Sequence, residues 1–472
     1  MKYEKIKNIQ IIVYESRSFP CMSKQKITGL FVFRRDLRVE DNNGLHAACL
    51  ECDKIFCIFV LDPRQIEAKN NEYFSANAFA FMLESLQELQ KTIGLTILRG
   101  DPTKEILAFA KEKNASQVYW NLDYTPFSIE RDKKITAVLE ANSISVKSFD
   151  DIPLNAPTQI KPYKVFTPYY RTAAKIKIAE EVQPNLKKIA AKDSASEKLS
   201  DFLEKIAKSK NLSPERQRGG RAAGLERLHL AAKNASKYLQ SRDDLTQETS
   251  RLSPYLKFGV IGKREAYRAV KNVDFRRELY WGDFYLQVSY HFPHVLQDEK
   301  QVPEKSGTYN ISKNFKPQKL KWDFDQKLWD AFQDGKTGIP LVDAAIHQLK
   351  ATGYMHNRCR MVVANVLTKF FHIDWRHGEK FFAVWLTDYD PSNNNGGWQW
   401  AAGTGADAQP YYRIFNTYTQ AKKSDPDCVY IKKWLPNLKS KTPAEIFKMV
   451  SPLFDYEKER AEAISRFRNA SD

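Results

Sequence analysis

The stretch ITGLFVFRRDL (residues 27–37) contains the first strong β-forming run of the chain and opens a series of similar runs. Each run is short and rich in β-forming residues, and helical patterns lie between the runs. The later runs are DKIFCIFVLD (53–62), LTILRGD (95–101), SQVYWNLDY (116–124) and ISVKSFDD (144–151). Strands that alternate with helices predict a mostly parallel sheet covered by helices. Residues 27–152 are therefore expected to form a Rossmann-like α/β domain with a five-stranded parallel sheet.

After residue 152 the composition and the predicted secondary structure change twice. Residues 153–224 are rich in lysine and poor in strand signals, which indicates an interdomain connection with some helices of its own. From residue 225 the pattern is helical, so residues 225–465 are predicted to form a larger all-α domain. Residues 1–26 predict a disordered leader in which Met22 is an alternative start, and an organelle presequence stays open. A chain of 472 residues with 42% apolar residues is long enough for more than one core.

Two common phosphate-binding motifs are missing from the predicted α/β domain. No GxGxxG and no GxxxxGK[ST] follows a strand, so neither a dinucleotide site nor a P-loop is predicted there. The glycines Gly219, Gly220 and Gly224 precede a helical pattern but follow a polar linker rather than a strand. We interpret this cluster as a flexible helix start.

Charge and hydropathy narrow the class of partner. The 74 Lys and Arg exceed the 57 Asp and Glu and give a net charge of +17, which favours a polyanion such as DNA. Many basic proteins bind no nucleic acid specifically, so charge alone does not decide the point. No apolar run approaches the roughly 20 residues of a transmembrane helix, and no membrane partner is expected. We expect an intracellular monomer in the cytoplasm or on the nucleoid, with targeting by residues 1–26 left open.

Cysteine and histidine residues raise the question of a metal site. His46, Cys49, Cys52 and Cys57 lie close together in the sequence. However, the first three follow a helical pattern, the fourth lies inside an apolar strand, and no second CxxC or HxxxH completes a ligand set. No metal site is therefore predicted. The six cysteines of this long chain are expected to be reduced thiols.

Three stretches of the helical part contain unusual residue choices. In TSRLSPYLKFG (249–259), Thr249, Ser250 and Ser253 gather at a helix start, which suits a phosphate, although an ordinary helix cap explains the same pattern. In RRELYWGDFYLQVSYHFPHV (276–295), Glu278 and Trp281 share one helical face. A carboxyl beside an indole is either the edge of a core or a slot that stacks and hydrogen-bonds a base.

The third stretch runs from GYMHNRCRM (353–361) to DYDPSNNNGGWQWAAGTGADAQPYYRIFN (388–416). Its consecutive asparagines, glycines and tryptophans are costly to order and pack poorly. Such a composition is typical of a backbone that approaches a flat ligand closely while side-chain amides reach the ligand's edge. This stretch therefore predicts a cofactor site.

These three stretches, in this order, resemble the photolyase and cryptochrome family and are most similar to the class I cyclobutane pyrimidine dimer photolyases. The resemblance covers about residues 27–440, including VFRRDLRVEDN (32–42) and YKVFTPYYR (163–171). It implies light-driven DNA repair by a carbon–carbon lyase that contains FAD, active as FADH⁻, in its helical domain. The excited cofactor would give an electron to a flipped-out pyrimidine dimer, two C–C bonds would break, and the electron would return. The fold that the family has agrees with the fold predicted above.

The resemblance also assigns residues to the cofactor. Asn394 would face flavin N5, where an amide can accept a hydrogen bond from the protonated nitrogen, whereas a carboxylate would compete for the proton. Arg360 and Asp388 would form an ion pair along the isoalloxazine, and Asp390 would lie near the ribose and the flavin edge. The pyrophosphate side would be held by Tyr238, Thr249, Ser250, Leu252 and Ser253.

For the substrate, the resemblance implies that Trp281 and Trp400 flank the flipped dimer, because aromatic stacking offsets part of the cost of base flipping. Glu278 would hydrogen-bond to the 5′ pyrimidine, and Asn357 and Arg358 would line the same pocket. Arg242 and Arg413 would contact the phosphates beside the lesion.

The preference for cyclobutane dimers depends on Met361. The (6-4) photolyases have a pair of histidines in this stretch, but this chain has Met361 and lacks the second histidine. His356 is interpreted as a packed or hydrogen-bonded histidine. The resemblance further implies that Trp398, Trp375 and Trp322 form an electron-transfer chain from the flavin to the surface.

The resemblance has departures. Gly282 and Asp283 replace an Arg-Glu pair that often follows the substrate tryptophan, and Tyr354 stands where tryptophan is common, so the rim of the pocket departs from the family pattern. The segment YTPFSIERD (124–132) lacks the Asn-Glu pair that holds a folate in some relatives, since Phe127 and Ser128 stand there. A deazaflavin-type second chromophore is therefore favoured over methenyltetrahydrofolate, with another flavin or none left open, and no residue is assigned to it.

Three alternatives remain at this point. A cryptochrome-like blue-light receptor has the same fold, but the segment after residue 440 is a short helical tail rather than a long extension. A (6-4) photolyase would differ in the dimer that it repairs. A basic helical nucleic-acid-binding module without a cofactor would be colourless when purified.

Overall fold

The computed structural model describes residues 26–296, 313–316, 320–408, 410 and 413–470. The disordered leader and the alternative start at Met22 were predicted for a segment that lies, apart from residue 26, outside the described residues. None of the described helices is long and apolar enough to cross a membrane.

A five-stranded parallel sheet forms the first part of the chain, as predicted. Its strands are β1 (Thr28–Phe33), β2 (Lys54–Leu61), β3 (Leu95–Arg99), β4 (Gln117–Asn121) and β5 (Ser145–Phe149). They lie in the order β3-β2-β1-β4-β5, and every neighbouring pair is parallel. The helices around the sheet are α1 (Asn43–Glu51), α2 (Pro63–Ile66), α3 (Ala76–Thr92), α4 (Pro102–Glu112) and α5 (Pro126–Glu140). Because helices cover both faces, the central strand β1 is almost entirely apolar and buried.

The interdomain connection is attached to the α/β part along much of its length. Its helices are α6 (Phe166–Ala173) and α7 (Leu199–Ile206), with 3₁₀ turns at Pro157–Gln159 and Leu186–Lys188. The backbone of Ala190 donates to the Ile55 carbonyl of β2 at 2.8 Å, and that of Glu197 donates to the Ile97 carbonyl of β3 at 2.8 Å. These bonds hold the connection against the sheet.

Helices make up nearly all the regular structure that the model describes after the connection. The α-helices are α8 (Arg221–Lys233), α9 (Tyr238–Ser241), α10 (Ser253–Lys257), α11 (Lys263–Ala269), α12 (Val273–His291), α13 (Gln326–Asp334), α14 (Pro340–Thr352), α15 (Asn357–Lys369), α16 (Trp375–Trp385), α17 (Pro391–Ala402), α18 (Thr417–Ser424), α19 (Val429–Trp434), α20 (Pro443–Ile446) and α21 (Tyr456–Asn469). Short 3₁₀ turns lie at Ala235–Lys237, Pro293–Val295 and Pro436–Leu438. The two-part architecture thus agrees with the prediction of an α/β domain and a larger helical domain.

The glycine cluster before α8 is held in place by hydrogen bonds rather than left free. The Gly219 amide donates to Glu84 at 2.8 Å and the Gly220 amide donates to Ser85 at 3.0 Å, and both acceptors lie on α3. Gly220 has a φ of 113°, which a residue with a side chain rarely adopts. The structure therefore docks this helix start on the α/β part, where a flexible start was expected.

A buried group of charges joins the two parts of the chain. Arg38 and Arg264 both pair with Asp151, at 2.7 and 2.8 Å, and Arg264 also contacts Asp41 at 3.3 Å. All four side chains are almost completely buried, so each charge depends on its partners for solvation. This group fixes the helical part against the carboxyl edge of the sheet.

Candidate functional site

A cavity of about 530 Å³ lies between α10, α12, α15 and α17. Its walls include twelve of the residues that the resemblance assigns: Arg242, Ser253, Glu278, Trp281, Asn357, Arg360, Met361, Asp388, Asp390, Asn394, Trp398 and Trp400. They come from sequence positions far apart, and the packing of the four helices brings them together. We call this space the larger cavity.

The first turn of α17 orients the amides of the larger cavity. Asp390 caps the helix by accepting the Asn393 amide at 2.9 Å, because the first amides of a helix have no partner inside it. The Asn394 side-chain nitrogen donates to the backbone carbonyl of Glu379 at 3.0 Å. A carbonyl can only accept, so this bond uses the Asn394 amide nitrogen and leaves the amide oxygen as an acceptor.

A second polar group of the larger cavity is built around Asp388. Arg360 pairs with Asp388 at 2.8 Å, and the Ser253 hydroxyl donates to the same carboxylate oxygen at 2.5 Å. The other Asp388 oxygen is buried and has no hydrogen-bond partner among the described residues, and the same is true of the Trp398 ring nitrogen. Buried polar atoms without a partner are costly in a finished core. They therefore indicate that a polar ligand completes this wall.

The residues present fit a flavin. A Cβ built on Gly397, in the middle of α17, would meet no atom within 4 Å, so the helix backbone faces open space there. A flat ring can approach this backbone closely, with the Asn394 amide and the Asp388 carboxylate at its edge. The cavity volume lies in the range typical of small-molecule sites.

Other assigned cofactor residues are not part of the described cavity wall: Tyr238, Thr249, Ser250 and Leu252. Thr249 exchanges a hydrogen bond of 2.9 Å with the Tyr354 hydroxyl, and Leu252 is buried. Tyr238 packs edge-on against Phe275 of α12. Their assignment to the pyrophosphate side stays a prediction.

The larger cavity is also lined by five of the assigned substrate residues: Glu278, Trp281, Trp400, Asn357 and Arg242. Glu278 pairs with Arg242 at 2.8 Å, and both side chains are partly exposed. Burial raises the pKa of Glu278, although the Arg242 charge opposes the shift. The carboxyl can therefore hold a proton more readily than a free glutamate does. Asn357 reaches the Met361 sulfur at 4.0 Å and lines the same wall.

The remaining substrate assignments lie outside the cavity wall. Arg358 pairs with Asp243 at 2.6 Å, and Arg413 is exposed. His356 caps α15, because its ring nitrogen Nδ1 accepts the Arg358 amide at 3.1 Å. Burial lowers the pKa of His356 to about 4, so the ring is neutral near pH 7. This geometry agrees with the interpretation of His356 as a hydrogen-bonded histidine.

Two of the three assigned electron-transfer tryptophans, Trp398 and Trp375, are buried. A Cβ on Gly378 would lie 2.1 Å from the Trp398 ring, so this ring packs directly on the backbone of α16, one turn after Trp375. Trp375 is fully buried and donates to Asn314 at 2.9 Å. Trp322 is half-buried and meets the edge of Phe467 in α21 at a ring distance of 6.2 Å. Trp398 lines the larger cavity, Trp375 lies in the core and Trp322 is partly exposed, and their assignment as an electron-transfer chain stays a prediction.

Sequence reasoning missed a second cavity, of about 220 Å³, at the carboxyl edge of the sheet. Its rings and apolar walls come from β1, β2, α3 and the loop before α17, and we call it the smaller cavity. It lies where the strand order reverses between β1 and β4, the place where open α/β sheets bind ligands. The signal was present in the sequence, because Arg34 and Arg35 follow one strand and Asp123 follows the other.

Positive charge is in excess at one end of the smaller cavity. Arg34 and Arg131 share the single carboxylate of Asp132, at 2.5 and 2.9 Å. Burial and the neighbouring Arg131 charge lower the pKa of Arg34 to about 10, so it stays protonated near neutral pH. Two cations with one anion favour a ligand that has an anionic group.

Three residues line both cavities and form a shared wall: Arg35, Lys257 and Tyr389. Burial and the adjacent Arg35 charge lower the pKa of Lys257 to about 7. The residues of the α/β part and of the helical part therefore meet between two ligand-sized spaces. The alternation of β-forming runs and helical patterns in the sequence did not predict that these three residues meet.

Among the described residues, no three or more His, Cys, Asp or Glu side chains are arranged to hold a metal ion. Cys49, Cys52 and Cys57 are buried free thiols. They pack in the apolar core beneath the sheet.

Comparisons with known proteins identify both parts of the chain. Residues 30–187 match the DNA photolyase family, and residues 275–468 match the FAD binding domain of DNA photolyase. The deoxyribodipyrimidine photo-lyase of Synechococcus sp. is 35% identical over 88% of this chain and 89% of its own length.

Solved structures give the same result. The archaeal photolyase from Sulfolobus tokodaii, which was solved with two FAD molecules, has a TM-score of 0.82 at 36% identity and covers 94% of this chain and all of its own. A cryptochrome of Synechocystis sp. has a TM-score of 0.77 at 26% identity, with 94% and 100% covered. Photolyases and cryptochromes thus share this fold, and the fold alone does not separate them.

Proposed function

This chain belongs to the DNA photolyase family, and on that premise we propose that it repairs cyclobutane pyrimidine dimers in DNA under blue light. The observation that carries the proposal is the larger cavity, in which Asn394 and the Arg360–Asp388 pair share one space with Glu278, Trp281 and Trp400. The first group suits a flavin, and the second suits an extruded pair of bases. Bound FAD, reduced to FADH⁻, would supply the photoexcited electron and take it back.

The chain's own residues hold and orient the two ligands. Arg360 and Asp388 would hold the flavin edge, and the Asn394 oxygen would accept a hydrogen bond from the protonated flavin nitrogen N5. Trp281 and Trp400 would stack on the flipped dimer, at roughly 1–3 kcal/mol per base, and so offset the few kcal/mol that flipping costs. Glu278, whose pKa is raised by burial, would donate a hydrogen bond to the 5′ pyrimidine.

The preference for cyclobutane dimers rests on Met361 and His356. Met361 lines the larger cavity, whereas His356 does not and uses Nδ1 to cap α15. A histidine outside the cavity wall is poorly placed to donate a proton to a (6-4) lesion bound there. This geometry supports repair of cyclobutane dimers over the (6-4) alternative.

A second chromophore in the smaller cavity is part of the proposal. Support comes from its aromatic walls, from the Arg34 and Arg131 guanidiniums that share one carboxylate, and from the two FAD molecules of the Sulfolobus tokodaii photolyase. The sequence favours a deazaflavin-type ligand, and the excess positive charge also suits a phosphorylated flavin. Mass spectrometry of the chromophores released from purified protein distinguishes them.

The test of the function uses two measurements on purified protein. An absorption spectrum shows bound flavin, and a dimer-containing oligonucleotide is expected to lose its dimer under light below 500 nm. The double variant Glu278→Ala, Trp281→Ala is expected to lose repair and to keep its flavin. A colourless wild-type protein, or unchanged repair by the double variant, contradicts the proposal. Light-dependent signalling without repair would favour the cryptochrome alternative.

A further inference from the structure

The segment YKVFTPYYR (163–171) brings a phenylalanine against the assigned substrate tryptophan. The rings of Phe166 and Trp281 lie face to face, with centroids 3.7 Å apart and planes within 5° of each other. Tyr170, one turn later in α6, continues the stack at 5.8 Å and 16° from Phe166. The connection between the two domains thus packs directly behind the assigned substrate tryptophan.

The two stacked rings differ in what they face. Trp281 is half-buried and lines the larger cavity, whereas Phe166 is 1% exposed and is not part of the cavity wall. One face of the indole is therefore covered by protein, while the half-buried residue also lines the cavity. Phe284 contacts Trp281 only edge-on, at 90° and 5.6 Å, and so does not take the place of Phe166.

Phe166 is itself held from two sides. Its backbone amide, the first of α6, donates to the Asp407 carboxylate, and the Asp407 amide donates back to the Lys164 carbonyl at 3.0 Å. Phe284 of α12 packs edge-on against the Phe166 ring at 5.7 Å. Asp407 follows Trp400 along the chain, so the start of α6 is fixed to the segments that contain both substrate indoles.

We propose that Phe166 is a positioning residue that sets the plane of the Trp281 indole for stacking on the extruded dimer. This inference rests on the function proposed above. An indole can turn about two side-chain torsions, and this freedom would be lost on binding a flat base. The parallel Phe166 ring restricts rotation of the Trp281 indole before the dimer binds. Binding then costs less conformational entropy, so the affinity for the dimer is higher.

The test compares Phe166→Leu, which keeps an apolar side chain of similar size but no flat face, with Phe166→Tyr, which keeps the ring. Phe166→Leu is expected to raise the dissociation constant for a dimer-containing oligonucleotide by about three- to tenfold. Binding of undamaged DNA and flavin content are expected to stay unchanged. The DNA concentration for half-maximal repair rises, while repair at saturating DNA stays near wild type. Phe166→Tyr is expected to bind within about twofold of wild type.

A double-mutant cycle separates positioning from general support of the fold. In a Trp281→Leu background, Phe166→Leu is expected to add no further loss of dimer binding, because the ring that it positions is gone. The matched control is Phe202→Leu, a partly buried phenylalanine of α7 outside both cavities, which is expected to leave dimer binding unchanged.

Two results would overturn the inference: wild-type affinity for Phe166→Leu, or an equal loss in both backgrounds. If the proposed function itself is wrong, a different result is expected: wild-type protein will bind dimer-containing and undamaged DNA equally well.

Discussion

Arg35 Nη2 lies 2.5 Å from Asp390 Oδ2, and this ion pair joins the end of β1 to the first turn of α17. Burial alone would raise the pKa of Asp390, but the Arg35 charge and the hydrogen bonds from Asn393 lower it to about 2. The carboxylate is therefore ionised near neutral pH. The pair ties the α/β part to the helical part at the wall that the two cavities share.

Asp390→Asn is expected to lower the thermal unfolding midpoint by about 5 °C. Removing one partner of a buried pair leaves the other charge poorly solvated, at a cost of about 3 kcal/mol. Asp123, at 3.5 Å, compensates Arg35 only in part. Differential scanning fluorimetry measures the shift. The control Lys177→Gln breaks the exposed Lys177–Glu180 pair and should change the midpoint by less than about 1 °C. An equal shift in both variants would contradict a stabilising role for the Arg35–Asp390 pair.

Gly397→Leu is expected to abolish flavin binding without unfolding the protein. A side chain at this position would project into open space of the larger cavity, where the ring is proposed to lie. Glycine is a poor residue inside a helix, so the replacement should not weaken α17 itself. The flavin absorbance per protein gives the result, and circular dichroism checks the fold. Gly397→Ala is the smaller step, and full flavin content in the leucine variant would exclude the proposed flavin position.

Trp398→Phe is expected to block photoreduction of oxidised FAD and to leave repair by chemically reduced enzyme intact. Trp398 lines the larger cavity and packs on Gly378 of α16, the helix that begins at Trp375, so its loss would interrupt the proposed chain. Visible absorption during illumination follows the reduction, and a dimer-repair assay after dithionite treatment follows the chemistry. Trp434→Phe, on α19, changes a tryptophan outside this path and should leave both readouts unchanged. Equal loss of both activities in Trp398→Phe would refute its role in the chain.

Because of the buried Glu379 carboxyl, the free energy of unfolding is expected to fall as the pH rises. Burial raises the pKa of Glu379 to about 8, because the neutral carboxyl fits its surroundings better than the charged form. The stabilisation is fully present below the ordinary pKa of 4.5 and is lost progressively as the pH rises to about 8.

The thermal unfolding midpoint of flavin-bound Glu379→Gln is therefore expected to rise relative to that of wild type as the pH increases. Between pH 5 and pH 8.5 the difference between the two midpoints should change by at least about 5 °C. Glu180→Gln, on an exposed side chain, should follow wild type at every pH. Parallel pH profiles for wild type and Glu379→Gln would rule out a raised pKa at this site.

Arg413→Gln is expected to weaken DNA binding and to make it less sensitive to salt. Arg413 is exposed, and a lost phosphate contact reduces the slope of log affinity against log salt by about 0.9. Fluorescence anisotropy with labelled oligonucleotides at several salt concentrations measures the slope. Lys104→Gln, an exposed cation on α4, serves as the control for net charge and should leave the slope unchanged. An unchanged slope in the Arg413 variant would remove this residue from the DNA interface.

The sequence pointed to the residues of the larger cavity but not to those of the smaller cavity. The larger cavity was anticipated at twelve positions, because its helices contain long motifs of unusual composition. The smaller cavity was not, because its walls are single residues at the ends of strands, such as Arg35 and Asp123, and their proximity depends on the strand order. The partner of Trp281 was missed for the same reason, since the segment 163–171 that contains Phe166 indicates the family and the connection but not the helix that its rings contact.

The sequence by itself determined five strands, a parallel sheet, a helical second part and the family to which the chain belongs. Local periodicity records which faces of an element are buried, and long motifs record the chemistry of a site, so both can be recognised without coordinates. Only the tertiary structure decided the order β3-β2-β1-β4-β5, the shared wall of Arg35, Lys257 and Tyr389, and the stack of Phe166 on Trp281. These features depend on contacts between residues distant in the chain, and the pattern within one segment does not specify which other segment covers it.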